Sequence, residues 1–224
     1  AGRDEVVALA REAAIRGGLY DTHQRDESSY DIGLLASTRE ALSIGREAGL
    51  PVHIAHLKAL GNDVHGMAPA LVKLVEQARA QGQRVTADQY PWLASGTGIT
   101  AALLPRWAVD GGNAALRERL QDPTQRERIR VAMRGGAGAL LLISADQEGT
   151  GRTLAAMADA WKLDPIDAAL RIIEHGIDHP GRSGGSVASF NMDEDDVQLL
   201  MRQPWMVTRS DGNDGHPRQY ASFP

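Results

Sequence analysis

Apolar residues recur along the first ninety positions in two alternating rhythms. Val6, Val7, Ala10, Ala13 and Ala14 fall at helical spacing over residues 4–16, and Gly17-Gly18 stop the pattern. "LYDTHQR" (Leu19 to Arg25) then predicts a short strand. Leu34, Leu35, Thr38, Ala41, Leu42 and Ile44 predict a second helix closing at Ala48-Gly49, followed by a strand in "PVHIAHLKA" (Pro51 to Ala59). A third helix is expected over Ala68 to Ala80, with Leu71, Leu74, Val75 and Ala78 on one face and Gly82 beyond its end. "RVTADQYPW" (Arg84 to Trp92) reads as the next strand, halted by Pro91.

Successive helix–strand units with short Gly-containing joints predict a parallel α/β sheet. Such a sheet is either open or closed into a barrel. In each strand the chemically capable residues sit at the C-terminal end: His23 and Arg25, His56 and Lys58, Asp88 and Tyr90. Barrels build their sites from those ends, strand after strand, whereas open sheets do so near one switch point. The expected fold class is therefore α/β with a parallel sheet, tilted by this placement towards a barrel.

Alternation of side chains along a strand then assigns faces. Asp21, His23 and Arg25 share one. Ile54, His56 and Lys58 share another, which sends His53 outward against a helix, and Thr86, Asp88 and Tyr90 align. His23 and His56 can thus meet at adjacent strand ends, with Lys58 and Tyr90 on the same rim. A lone histidine is most often a packing or satisfied polar residue. Two at neighbouring strand ends, with Asp211 ending the later strand "PWMVTRSD", suit a divalent metal: neutral imidazole favours zinc, and a carboxylate can ligate it or carry a proton. Metal-activated water makes hydrolysis the natural chemistry.

The middle of the chain breaks the rhythm. Residues 93–112 are rich in Gly, Ser, Thr and Ala. A charged helix over 113–134 is split at Pro123, "ALLLIS" (Ala139 to Ser144) reads as a strand, and two helices flank Asp164-Pro165 within 153–176. "SGGSVAS" (Ser183 to Ser189) is a loop or a short extended piece, and "MDEDDVQLLMR" a helix with acids in its first turn, where the dipole favours them. The organisation predicted is 1–92 as barrel units, 93–190 as an insertion or cap, and 191–224 as the last barrel strand with its loop. His175 and His179 stand four apart, but Gly176 and Pro180 argue against a shared helical face and for surface positions. No Gly-x-Ser-x-Gly elbow surrounds a serine, and no Gly-rich stretch ends in the Lys-Ser/Thr of a phosphate loop.

Composition narrows the classes further. Of 224 residues, 24 are Lys or Arg and 29 are Asp or Glu, a net charge of −5, which argues against nucleic acid as the main partner. No apolar run approaches the roughly 20 residues of a membrane span, so no membrane partner is expected. The absence of cysteine excludes disulfides and thiolate ligands within the chain and fits a cytoplasmic setting.

Five ordered stretches carry a family resemblance: "YDTHQRDE" (Tyr20 to Glu27), "HIAHLKALG" (His53 to Gly61), "VTADQYPWLASGT" (Val85 to Thr97), "LLPRWAVDGG" (Leu103 to Gly112) and "SDGNDGHPRQYASFP" (Ser210 to Pro224). Together they resemble the N-acyl-D-amino-acid deacylase (D-aminoacylase) family of the amidohydrolase superfamily. The resemblance implies a metal-dependent (β/α)8 TIM barrel that hydrolyses N-acyl-D-amino acids to a carboxylate and a free D-amino acid. It implies one or two Zn2+ ions held by His23 and His56, Asp211 as general base and acid, and Lys58, Tyr90, Ser95, Thr97 and Arg218 as the grip on the substrate. The family's H-x-H pair and zinc-ligating cysteine have no counterpart here, so the chain is expected to correspond to the later barrel strands plus an insertion, with the other metal ligands outside it. Thr208-Arg209 also depart from the small apolar residues that precede the SDG motif in relatives. Two further readings stay open: a cyclic-amide amidohydrolase on the same scaffold, and a catalytically silent scaffold lacking the remaining ligands.

Overall fold

The computed structural model describes residues 2–133, 137–144, 148–179 and 185–211. In chain order the elements begin with α1 (Arg3–Ala14), β1 (Tyr20–Thr22), α2 (Leu34–Ala48), β2 (Val52–Ile54), α3 (Ala68–Ala80) and β3 (Val85–Gln89). The chain continues through β4 (Ala94–Gly98), α4 (Ile99–Leu103), α5 (Arg106–Val109), α6 (Gly112–Gln121), α7 (Pro123–Ala132), β5 (Leu141–Leu142), α8 (Leu154–Trp161), α9 (Pro165–Asp178) and β6 (Ser186–Phe190). It ends in α10 (Glu194–Met201) and β7 (Met206–Thr208). The described residues fall into two compact units, one built from residues up to 93 together with those from 191 on, the other from 94 to 190.

The first unit is a parallel sheet of order β1-β2-β3-β7. Parallel neighbours need a crossover, and α2 and α3 supply those after β1 and β2. Each helix lays an apolar stripe on one face of the sheet: Leu34 and Leu42 from α2, and Leu71 and Val75 from α3, pack with Val52, Ile54, Val85 and Ala87. Gly49 closes α2 with φ 75°, the left-handed C-terminal position that glycine adopts without a Cβ penalty. Asp196 of α10 receives the N–H groups of Gly66 and Ala68 at 2.7 and 3.0 Å, satisfying the start of α3.

The other face of the sheet is polar. The registers Asp21↔His53 and His53↔Thr86 put these side chains in one row, with Asp88 two residues further along β3. This corrects the assignment of His53. It does not pack outward against a helix; Ile54, fully buried, does so. His53 Nε2 lies 2.8 Å from Asp88 Oδ2, and its Nδ1 lies 2.8 Å from Thr86 Oγ1. The two-residue alternation ends earlier than expected, because β1 stops at Thr22 and β2 at Ile54, before His23, His56 and Lys58. His56 has φ 37°, so the chain turns there and the two-residue period no longer applies.

The second unit holds an antiparallel sheet of order β4-β6-β5, covered by helices around Leu116, Ile129, Leu154, Leu170 and Ile173. Pro123 starts α7 rather than continuing α6, with Asp122 accepting the Gln125 N–H at 2.8 Å as its cap. The strand expected over 139–144 is only two residues long, because residues 137–139 form a 3-10 turn. The stretch read as a loop or short extended piece pairs with β4 as β6. α9 runs on through Gly176 to Asp178, and the exposed rings of His175 and His179 stack at 4.2 Å. His179 lies beyond the end of α9 in non-helical backbone, so the two histidines are exposed and stacked without sharing a helical face, in line with the expectation. One helical glycine costs only about 1 kcal/mol relative to alanine, and proline disfavours helix at the residue before it, past Asp178.

Candidate metal centre

The turns that follow β1 and β2 bring three potential ligands together. His23, Glu27 and His56 offer atoms that all lie within 4.8 Å of one another. His23 Nδ1 and His56 Nε2 are 2.9 Å apart, with the rings edge to face at 4.6 Å. Two imidazole nitrogens converging on one point, beside a carboxylate, form a donor set that fits zinc or another borderline divalent ion.

The left-handed turn at His56 is held by Asp88, whose Oδ1 accepts the His56 backbone N–H at 2.7 Å. The same carboxylate takes the His53 imidazole and Arg209 Nη1, the latter at 3.2 Å. Arg209 also reaches Asp211 Oδ1 at 3.2 Å through Nη2. Asp211 itself has φ 50°, a second non-glycine residue in left-handed backbone near the site.

Glu27 is buried and sits between two partners. Lys58 Nζ donates to its Oε1 at 2.6 Å, and His56 Nδ1 lies 2.8 Å from the same atom. Burial by itself would push the Glu27 carboxyl up; the charge of Lys58 and the hydrogen bond with His56 hold it below the ordinary range instead. Loss of solvent lowers His23, Glu27 pulls it back up, and the charges of His56 and Lys58 add to the lowering. The net effect favours neutral imidazole, the form that ligates a metal.

Lys58 is only 4% exposed, its ammonium also donates to His56 O at 2.9 Å, and it lies 5.5 Å from the centre of the buried Tyr90 ring. His23, His56, Lys58, Tyr90 and Asp211 all belong to the first unit. Ser95 and Thr97 lie on β4 of the second, opposite Ser189 and Val187 of β6. Arg218 and His216 lie outside the described residues. Sequence reasoning overlooked Glu27, although it stands inside the "THQRDE" stretch four residues after His23; an acid within a polar, His-bearing stretch was the available signal. Arg25, at the same strand end, pairs with Glu40 of α2 at 2.8 Å.

No protein-family model matches the chain. It is 29% identical over 223 residues to N-acyl-D-glutamate deacylase of Alcaligenes xylosoxydans xylosoxydans, a match covering 98% of this chain and 37% of that protein. The chain thus spans little more than a third of its curated relative. Among solved structures it resembles N-acyl-D-glutamate deacylase of Bordetella bronchiseptica in complex with zinc and a phosphonate mimic of the tetrahedral intermediate. That similarity has a TM-score of 0.72 at 27% identity, over 100% of this chain and 39% of the other. It also resembles a D-aminoacylase studied for its binuclear metal centre, with a TM-score of 0.65 at 26% identity, over 96% and 36%. Along nearly its whole length, the chain is similar in sequence and in structure to part of N-acyl-D-glutamate deacylase and of D-aminoacylase.

Proposed function

We propose that the protein hydrolyses the amide bond of N-acyl-D-amino acids, releasing a carboxylate and a free D-amino acid, with Zn2+ as cofactor. The observation that carries this reading is the convergence of His23 Nδ1 and His56 Nε2 at 2.9 Å in the turns that follow two neighbouring parallel strands, in a chain whose structural relatives include a zinc-bound deacylase. A zinc ion, when bound, polarises the acyl carbonyl and renders water nucleophilic near neutral pH.

The chain's own residues do the rest. His23 and His56 hold the metal, together with ligands from outside this chain, in a barrel completed by the remaining strands. Asp211 accepts the proton of the attacking water and hands it to the departing amine nitrogen. Arg218 holds the substrate carboxylate bidentately, and Lys58 and Tyr90 contribute charge and a hydroxyl. Residues 93–190 serve as the insertion, in which Ser95 and Thr97 supply hydroxyls for substrate. A cytoplasmic location belongs to the same reading, supported by the cysteine-free composition. Among the described residues no helix is long and apolar enough to cross a membrane.

The test is hydrolysis of N-acetyl-D-amino acids by the intact protein, with metal content measured in parallel. Turnover lost on chelation and regained with zinc is expected. Arg218→Ala should raise KM for acyl amino acids far more than for a neutral cyclic amide; equal effects on both would favour the cyclic-amide reading. No zinc and no turnover would leave the scaffold reading.

A further inference from the structure

Nδ1 of His56 faces two groups at once. Glu27 Oε1 stands 2.8 Å from it and Lys58 Nζ 2.9 Å from it. One ring nitrogen is either a donor or an acceptor, so only one of these contacts is a hydrogen bond in a given tautomer. Nε2 points the other way, to His23 Nδ1. A nitrogen that ligates a metal must present its lone pair, which leaves the ring proton on the far nitrogen. With Nε2 directed to the metal, Nδ1 carries the proton, and the Glu27 carboxylate is the acceptor beside it.

We propose that Glu27 is the positioning residue of this centre: it accepts the Nδ1–H of His56, keeping Nε2 free for the metal, while its charge holds Lys58 in place. The inference rests on the metal-hydrolase reading above and extends it to a residue that reading does not use. Two features argue that Glu27 orients rather than ligates. Its Oε1 is already shared by the ammonium and the imidazole, and a cation bound there would sit beside Lys58. The carboxylate is buried, and one of its oxygens lies 2.6 Å from the ammonium and 2.8 Å from the imidazole nitrogen, the spacing of charge-assisted bonds. Metal-ligating histidines commonly donate their second ring N–H to a carboxylate in this way.

The experiment compares two charge-balanced double variants of the intact protein, Glu27→Gln with Lys58→Met and Glu27→Leu with Lys58→Met. Both remove the buried ion pair without stranding a charge, but only the Gln variant keeps an acceptor for Nδ1–H. Zinc affinity is read by chelator competition, and the His56 tautomer by 15N NMR of the metal-free protein. The Leu variant should bind zinc about 10–100-fold more weakly, while the Gln variant stays within about threefold of the unaltered protein. The unaltered metal-free protein should show the Nδ1–H tautomer, retained in the Gln variant and lost in the Leu variant. Equal affinities in both variants, or an unprotonated Nδ1 in the unaltered protein, would overturn the role. Equal loss of zinc in both variants would make Glu27 a ligand instead and likewise overturn it. If the unaltered protein takes up no zinc at all, the metal reading falls and this role with it; if it does and both variants match it, the role of Glu27 alone falls.

Discussion

Asp88 holds His56 by its backbone rather than by its ring, accepting the N–H at 2.7 Å in a turn where φ is 37°. A β-strand would not aim this imidazole at His23; the left-handed turn does, and such backbone persists only where its surroundings fix it. Asp88→Ala should therefore lower stability by about 1–3 kcal/mol, the cost of stranding buried donors. It should also weaken zinc binding about 10–100-fold, as loss of an outer-shell support does. Urea unfolding and chelator competition measure the two. Weakened stability with unchanged zinc affinity would show that the turn does not position His56.

His53 offers a sharper contrast. Packed outward among apolar helix residues, it would tolerate phenylalanine. Instead it hydrogen-bonds Asp88 and Thr86, so His53→Phe should cost about 1–3 kcal/mol by leaving both partners short of a bond. A neutral or stabilised variant in urea unfolding would restore the outward assignment.

Gly45, inside α2, is a place where helix propensity and packing disagree. Propensity favours alanine by about 1 kcal/mol. A Cβ at Gly45 would collide with Val52 Cγ2 at the start of β2 and crowd Leu50 O at 3.2 Å. Gly45→Ala should therefore destabilise the fold by about 1–3 kcal/mol despite its propensity, the usual range for overpacking. Adding Val52→Ala should recover part of the loss, a non-additivity that thermal unfolding of the single and double variants would reveal.

Asp26 supplies the pH dependence. Its buried carboxylate accepts the N–H groups of Asp31, Ser28 and Gly33 at 2.6, 2.9 and 2.9 Å, organising the turn between β1 and α2. Burial pushes this carboxyl up, but the backbone donors outweigh it and hold it below its ordinary value. A carboxyl depressed in the folded state adds stability that is complete above its unfolded pKa, about 3.9, and lost as pH falls through the folded value. Asp26→Asn should thus cost about 1–3 kcal/mol at pH 6 and progressively less below about pH 4. A gap of constant size between pH 6 and pH 3 in urea midpoints would contradict this.

Much of the scaffold was legible in the residues themselves. α3 runs over Ala68–Ala80, where its apolar spacing places it, and Pro123 divides α6 from α7 because it fits the first turn of a helix and not its interior. Helix periodicity and prolines act within a few residues, so one sequence suffices to see them. His23 and His56 were legible as chemistry at the C-terminal ends of neighbouring strands, and they lie in the turns just past them. What the tertiary structure decided lies beyond that range. Where each strand stops determines how far the two-residue alternation holds, and that depends on pairing with a partner strand. His53 was assigned to the wrong face for this reason. Glu27 meets Lys58 across 31 positions, and Asp88 meets His56 across 32. Local pattern showed which residues could do chemistry; only the turn at His56 and its distant carboxylates decided which nitrogen faces which partner.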